Sequence, residues 1–361
     1  MLRPARSVLA ALAGLVLALP AAAATFVFPA PEPRPGGRVP ELVVYSSLDE
    51  RLAAPLVFGF QRAYPAIAIR YEELATGEIS DRVLRETRAG GRTADFVFSS
   101  AMDLQVKLIN DGFAQPVRTE ATVTWPRWAN WRDTGYALTF EPAVFVYHRA
   151  SFAQRPPPAT RAELLDWLRH DPGAARGRLG TYDIERSGVG YLFLARDEDQ
   201  FRDIWGLIRA MGAAGAQVFP TSGEILERVA DGRLAMGYNI LGSYAADWAR
   251  RHPEIGLLLP RDYTIVASRI GLVPRAAGSA ELGSLFLAFL MSETGQRVLT
   301  DEMKLPAVSL AVAGRNSALA MGDLSGGQLR PIPVGPGLLA YLDEARRKRL
   351  VATWRAALRP Q

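Results

Sequence analysis

The chain has 361 residues, of which 49% are hydrophobic and 22% are charged. This mixture is too apolar for a disordered chain, and the length suffices for one large or two medium domains. There is no cysteine, which excludes disulfides, thiolate nucleophiles and cysteine-bound metals, and three histidines leave little material for a histidine metal site.

The N-terminus has the pattern of a secretory signal peptide. Arg3 and Arg6 precede an apolar run from Val8 to Leu19, and alanines follow Pro20. The run is shorter than the roughly 20 apolar residues that a membrane-spanning helix needs. We therefore expect cleavage near Ala24 and export to the periplasm. Removing both arginines lowers the formal net charge from +5 to +3, so no nucleic acid or anionic membrane is expected as main partner.

After a Pro-rich leader over residues 25–40, strand-like apolar runs alternate with segments of helical spacing. The predicted strands are Leu42–Tyr45, Ile67–Tyr71 and Asp95–Phe98, and the predicted helices are Leu52–Tyr64, Ile79–Arg88 and Leu104–Ile109. This alternation predicts a parallel sheet with helices on its faces. The segment Ala121–Tyr136 does not fit the alternation.

An extended segment, Ala137–Tyr147, is predicted to carry the chain into a second unit of the same kind. Predicted there are the strands Arg178–Tyr182, Ala216–Phe219 and Ala235–Asn239, with helices at Arg161–Arg169, 190–211 and Glu224–Ala230. A second extended segment, Tyr263–Val273, is predicted to return to the first unit, where the helix Ser284–Leu299 follows. Two connections between two units make a hinge, and a hinge leaves a cleft.

Polar residues collect where the predicted strands end. Ligands of open parallel sheets bind beyond the carboxyl ends of the strands, near helix N-termini whose N–H groups and dipole suit an anionic oxygen. The junction residues that we predict to bind ligand are Ser46, Ser47, Thr76, Gly77, Ser99, Ser100, Asp183, Ser187, Gly188, Thr221 and Ser222. For any one junction the alternative is ordinary N-capping, which favours Ser and Thr.

One cation lies at the same predicted edge. Arg186 can form two parallel hydrogen bonds to a phosphate or carboxylate. The alternative is an ion pair with Asp183 or Glu185. Tyr182 and Tyr238 are also predicted ligand contacts.

For these tyrosines, as for Tyr244 and Tyr263, the alternative is a partly buried core position. Trp125, Trp128 and Trp131 are predicted to anchor the lobe junction. The basic cluster 346–349 follows two acidic residues at helical spacing, which favours a solvated helix face over nucleic-acid binding.

Three stretches resemble the extracellular solute-binding proteins of ABC importers: Tyr45–Glu50, Ala94–Gln105 and Gly180–Asp183 with the turn Gly188–Gly190. The resemblance spans about Leu42 to Arg355. It points to the group that includes ferric-ion-binding, sugar-phosphate-binding and phosphoglycerate-sensing periplasmic proteins. It implies an α/β type II periplasmic-binding-protein fold, with two lobes, a two-strand hinge and an interlobe cleft that closes on ligand.

The expected division follows from the resemblance and the predicted elements together. The segments are a signal peptide at 1–24, a Pro-rich leader at 25–40, lobe 1 at 41–136 plus 270–310, and lobe 2 at 137–269 plus 330–361.

The chain departs from the ferric members of this group. Those members bind iron(III) with adjacent tyrosines, often joined by a histidine and an acid. The corresponding places here carry Tyr238-Asn239, Leu48-Asp49 and Ser99-Ser100. A hard trivalent cation favours anionic oxygens, so we expect no metal and no other cofactor.

These observations predict a monomeric periplasmic protein that captures a small anionic solute, first of all an organic phosphate, for an ABC permease. The alternatives are a ligand-sensing subunit for a membrane histidine kinase, and an iron(III)-binding protein. An enzyme is not expected, because the chain has none of the motifs that tie a nucleophile, metal or nucleotide to a turn. The pair Asp183 and Glu185 is weak evidence for hydrolysis.

Overall fold

A computed structural model describes residues 24–303, 305–309, 312 and 328–359. The predicted signal peptide, apart from Ala24, lies outside the described residues, as do residues 304, 310, 360 and 361 of the predicted lobes.

The strands and helices alternate along most of the chain. The strands are β1 Ala24–Phe28, β2 Glu41–Ser46, β3 Ala68–Glu73, β4 Phe96–Ser99, β5 Ala114–Gln115, β6 Asn130–Trp131, β7 Gly135–Ala137, β8 Glu141–His148, β9 Leu179–Tyr182, β10 Gln217–Phe219, β11 Met236–Leu241, β12 Ile255–Leu258, β13 Thr264–Ala267, β14 Ile270–Pro274 and β15 Leu329–Pro331. The helices are α1 Glu50–Ala63, α2 Thr76–Arg88, α3 Met102–Asn110, α4 Glu120–Val123, α5 Arg161–His170, α6 Pro172–Ala175, α7 Gly188–Gln200, α8 Ile204–Ala213, α9 Ser222–Ala230, α10 Gly242–Arg251, α11 Ala280–Met291, α12 Glu293–Arg297 and α13 Glu344–Leu358.

The first sheet has the order β1-β3-β2-β4-β14-β7-β6, with β5 paired to β14. Its centre, β3-β2-β4, is parallel as predicted. The strands that flank this centre lie outside the predicted alternation, and they are antiparallel to their neighbours. β14 pairs antiparallel with β4 because it enters from the other sheet, and β1 pairs antiparallel with β3 from within the predicted leader.

The second sheet has the order β10-β9-β11-β8-β13-β15, with β12 paired to β8. β9, β10 and β11 run parallel, and β8 runs antiparallel to β11 and β13. We call the first sheet with its helices lobe 1 and the second sheet with its helices lobe 2. That the boundaries at 136/137 and 269/270 separate units that move as rigid bodies stays a prediction.

Two short segments connect the sheets side by side. Residues 138–140 join β7 to β8, and Ser268 and Arg269 join β13 to β14. They are hydrogen-bonded to each other: Leu138 N donates to Arg269 O at 2.9 Å, and Arg269 N donates to Thr139 Oγ1 at 2.8 Å. Lobes joined by such a pair of strands can rotate about it.

Aromatic rings pack in the core of lobe 1. In lobe 1 the ring of Phe286 lies edge-on to Phe60 and Phe96, with centroids 5.0 and 5.2 Å apart. The single helix predicted at Ser284–Leu299 is two helices, because Ser292 interrupts it and accepts a hydrogen bond from Gly295 N to begin α12.

In the part of the chain that the structure describes, no helix has the length and apolar character needed to cross a bilayer.

Candidate functional site

A cleft of about 640 Å³ lies between the two lobes, and the N-termini of five helices lie at its wall. These helices are α1 and α2 of lobe 1 and α7, α9 and α10 of lobe 2, each with its first turn or capping residue at the cleft wall. The first N–H groups of a helix have no partner within it and carry partial positive charge. The cleft therefore collects hydrogen-bond donors.

The structure brings nine of the predicted ligand-binding residues to this cleft. They are Ser47, Thr76, Ser100, Tyr182, Arg186, Ser187, Gly188, Thr221 and Ser222. Thr76 and Gly188 approach each other from opposite lobes, since a Cβ built on Gly188 would lie 3.5 Å from Thr76 Oγ1.

On lobe 1, Ser47 and Ser100 form the floor of the cleft. Ser47 N donates to Phe98 O, and Ser47 Oγ accepts from Ser100 N at 3.1 Å. The Nη1 atom of Arg269 donates to the same Ser47 oxygen at 3.1 Å. A buried guanidinium thus lies directly behind a hydroxyl that faces the cleft.

On lobe 2, two predicted residues act as helix caps. Ser187 Oγ accepts from Gly190 N at 3.2 Å, and Thr221 Oγ1 accepts from Glu224 N at 3.3 Å. Capping leaves the N–H groups of Gly188 and Ser222 next to the cleft. Gly190 is required where it stands, because a Cβ there would lie 2.3 Å from the Cβ of Tyr182.

Arg186 is exposed at the cleft and has no ion pair with any residue in the described ranges. The predicted alternative, a pair with Asp183 or Glu185, does not form. Glu185 instead binds Arg355 through two hydrogen bonds, one of them 2.7 Å from Nε, and Asp183 Oδ1 accepts from Glu185 N at 3.0 Å. Asp183 and Glu185 therefore are not a free carboxylate pair.

Five predicted residues do not line the cleft. Ser46 and Ser99 are buried, and their hydroxyls accept from Leu48 N and Ala101 N two residues further along the chain. Gly77 is the second residue of α2, and Asp183 follows β9 directly. Neither of them lines the cleft.

Tyr238 is the fifth, and it belongs to a sealed polar cluster. Its hydroxyl donates to Asp197 at 2.6 Å, and Arg161 Nε donates to the same hydroxyl at 3.1 Å. Tyr263, weighed with it, donates to Asp197 at 2.6 Å.

Four further charged or aromatic residues of the cleft were not predicted, and the partners of two of them, Asp49 and Arg51, are distant in sequence. They are Asp49, Arg51, Trp248 and Arg251. Tyr244 donates to Asp49 at 2.6 Å, and Arg51 binds Asp247 at 2.6 Å, both across the lobes. The sequence contains one signal for part of this set, because the spacings of four and three place Tyr244, Trp248 and Arg251 on the same face of a helix.

The donor set of the cleft suits an anion better than a hard cation. Among the described lining residues Asp49 is the one carboxylate. Burial raises the pKa of Tyr182 to about 12, and its hydroxyl hydrogen-bonds Ser222 Oγ at 2.6 Å. Burial also raises the pKa of Tyr244. Within the described ranges no three His, Asp or Glu side chains are grouped to hold a metal.

Two other predictions concern surfaces away from the cleft. Trp125 Nε1 donates to Ala137 O at 2.9 Å at the end of β7, next to the hinge. In the basic cluster, Arg346 binds Asp199 at 3.0 Å and Arg349 binds Glu198 at 2.9 Å, both on α7. The cluster is therefore a paired helix face.

A larger depression, of about 1010 Å³, lies on lobe 2 between α5 and β12. Its charges are satisfied locally, since Arg155 pairs with Asp171 and Arg261 binds Glu163 at 2.9 Å. It also lacks converging helix N-termini, so the interlobe cleft is the stronger candidate site.

Two α/β lobes joined by a strand pair around a polar cleft define the class of type II periplasmic binding proteins. The model of the family described as bacterial extracellular solute-binding protein matches residues 56–317. The chain belongs to this family, as the resemblance implied.

Solved structures agree. A substrate-binding protein of an ABC transporter from Agrobacterium tumefaciens is 59% identical, with a TM-score of 0.89 over 94% of this chain and 100% of that one. Iron-bound HitA from Pseudomonas aeruginosa, at 15% identity and a TM-score of 0.70, covers 88% of this chain and 99% of its own. AfuA from Actinobacillus pleuropneumoniae, with fructose-6-phosphate bound, has the same identity and TM-score over 88% and 98%. A comparison with curated proteins gave no match.

Proposed function

We propose that the protein is the periplasmic binding component of an ABC importer and that its cleft captures a small anionic solute, first of all an organic phosphate. The observation that carries this proposal is the position of Arg186. An exposed arginine without an ion pair in the described chain faces a cleft where five helices present N-terminal N–H groups. Guanidinium and helix N-termini are the groups that bind phosphate in other proteins.

The same residues suggest how binding works. The solute meets Ser47, Ser100 and the N-terminus of α2 on one lobe, and Arg186 and the N-termini of α7 and α9 add their contacts on closure. The solute then shifts the population toward the closed form by its higher affinity for that form. A permease would recognise the closed shape. Since Glu185 is engaged by Arg355, no reaction is proposed.

We infer that lobe 1 comprises 41–136 plus 270–310, extended by β1 and by Ala137 at the end of β7, and that lobe 2 comprises the remainder of 137–269 plus 330–361. The predicted leader thus belongs in part to the first lobe, because β1 is an edge strand of its sheet.

The test is calorimetric titration of the mature protein with 3-phosphoglycerate, fructose 6-phosphate, inorganic phosphate and ferric ion. Binding of at least one phosphate ester with micromolar or lower Kd is expected. Ser100→Glu places a carboxylate on the cleft floor and should abolish that binding, whereas Ser284→Ala, on α11 of the same lobe, should not change it. Stoichiometric ferric binding with visible tyrosinate absorbance, and no phosphate binding, would overturn the proposal.

A further inference from the structure

The hydroxyl of Ser47 has an unusual set of partners. A serine oxygen has two lone pairs and one proton. Both lone pairs face donors, because Ser100 N and Arg269 Nη1 each lie 3.1 Å from the oxygen. Neither donor can reverse its role, since a backbone N–H and a guanidinium only donate. The oxygen of Ser47 therefore has no lone pair left for a ligand.

The proton of Ser47 is not committed in the same way. Its nearest acceptors in the described chain are Ser99 Oγ at 3.5 Å and Ser100 Oγ at 3.4 Å. Both distances exceed the 2.5–3.0 Å typical of hydrogen bonds between oxygens. The backbone of Ser47 is fixed by its bond to Phe98 O, so the hydroxyl stays at the cleft wall with its proton available.

Arg269 is held in place to impose this arrangement. Its side chain is completely buried, and its Nε lies 3.1 Å from Glu141 Oε1. Glu141 is itself fixed, since Thr139 Oγ1 donates to it at 2.7 Å and Ser243 Oγ donates to its other oxygen. The approach of Nε to Glu141 is an ion pair without hydrogen-bond geometry, and both Nε and the third nitrogen, Nη2, are buried without a hydrogen-bond partner among the described residues. The cleft floor thus has a fixed cation behind it with donor capacity to spare.

We propose that Arg269 is a positioning residue that makes Ser47 an obligatory hydrogen-bond donor, so that the solute must bring an acceptor oxygen to this point of the cleft. The inference rests on the proposed function and deepens it. A phosphoryl or carboxylate oxygen satisfies the requirement. A ligand that presents an N–H or an ammonium group there meets a hydroxyl that has no lone pair to offer, and a buried donor without a partner is costly.

The first experiment compares wild type with Ser47→Ala, using calorimetric titration with fructose 6-phosphate and 3-phosphoglycerate. Loss of one hydrogen bond to a charged group should weaken binding about 10- to 100-fold. Ser47→Thr keeps a hydroxyl and should restore most of the affinity, and Ser284→Ala is the matched serine control.

The second experiment removes the guanidinium that donates to Ser47. The paired substitution Arg269→Met with Glu141→Gln does so without leaving an unpaired buried charge. If Arg269 acts through Ser47, the penalty of Ser47→Ala in this background should be at least threefold smaller than in wild type. A structural role would leave the penalty unchanged, because independent effects add. Urea unfolding of each variant confirms folding. If this pair does not fold, Arg269→Gln with Glu141→Gln replaces it.

The outcomes separate the two proposals. If wild type binds neither phosphate ester, the proposed function falls and this inference falls with it. If wild type binds and the penalty of Ser47→Ala is the same within threefold in both backgrounds, the inference is overturned and the proposed function stands.

Discussion

Lobe 2 carries two arginines in opposite environments. Arg161 is completely buried, and it binds Asp197 at 2.9 Å and Asp262 at 3.1 Å. Its Nη1 also donates to the carbonyl of Tyr263 at 2.9 Å. Arg186 is exposed at the cleft and has no ion pair within the described chain. The charge of Arg161 is neutralised by carboxylates of the fold, whereas the guanidinium of Arg186 is available to a ligand.

The difference shows which polar residues are available for binding. Tyr182 ends β9 and lines the cleft, whereas Tyr238 lies within β11 and does not reach it. Tyr238 is occupied by Asp197 and Arg161. A polar residue of this sheet is available to a ligand only where the fold leaves it at the cleft wall.

The largest effect is expected for Arg161→Met. It leaves Asp197 buried without its cation, which should lower the free energy of unfolding by about 3–5 kcal/mol. Urea unfolding measures this loss. Adding Asp197→Leu should recover much of it, because the pair is then replaced by apolar side chains. Phosphate-ester affinity of the folded fraction should stay within about threefold of wild type. A stable Arg161→Met variant would contradict the description of this cluster as a structural ion pair.

Arg186→Gln should have the opposite effects, a loss of affinity with almost no change in stability. Loss of a charged hydrogen-bond donor to the solute is expected to weaken phosphate-ester binding about 10- to 100-fold. The free energy of unfolding should change by less than about 0.5 kcal/mol, because Arg186 has no ion pair with a described residue that the fold would lose.

Arg202→Gln is the matched control for Arg186→Gln. Arg202 is exposed like Arg186 but follows the other end of α7, about 20 Å away at 1.5 Å per helical residue. Its substitution should leave the affinity unchanged. Equal losses in both variants would mean that only overall charge matters.

These residues also show how far the sequence could lead. The parallel strands β2, β3 and β4 were predictable because their apolar runs and flanking helices are local patterns. Which of Ser46 and Ser47 faces the cleft was not predictable. β2 extends to Ser46, one residue beyond the predicted end, and successive side chains of a strand point to opposite faces. Nor was the burial of Tyr238 predictable, since its partner Arg161 lies 77 residues earlier in the chain.

A smaller effect is expected at the contacts that cross the cleft. Tyr244→Phe removes the 2.6 Å bond to Asp49, which should cost the closed form about 1 kcal/mol. Apparent affinity for a phosphate ester should fall about fivefold, and small-angle scattering of the liganded protein below saturation should show a larger open fraction. Tyr147→Phe, in lobe 2 away from the cleft, is the control. An unchanged affinity would show that this contact does not help to hold the lobes together.

The smallest effect concerns Asp103, a buried carboxylate in the first turn of α3 that, unlike Asp197, has no ion pair in the described chain. Burial raises its pKa in the fold, against the smaller opposite effect of the bond from Leu104 N. The raised pKa means that the folded state holds this proton more tightly than the unfolded chain does. The free energy of unfolding therefore declines as pH rises from the ordinary aspartate pKa to the raised pKa of Asp103. The decline is complete above the raised pKa.

Asp103→Asn retains an acceptor for Leu104 N and removes the charge. It should raise the free energy of unfolding at pH 7, and the gain should vanish in acid, where the aspartate is neutral in both states. Asp197→Asn should do the opposite and destabilise the fold at pH 7, because its charge is matched by Arg161. Urea unfolding of both variants between pH 3 and pH 8 tests the contrast. Similar signs for the two would mean that the presence of a counter-charge does not decide whether this fold tolerates a buried carboxylate.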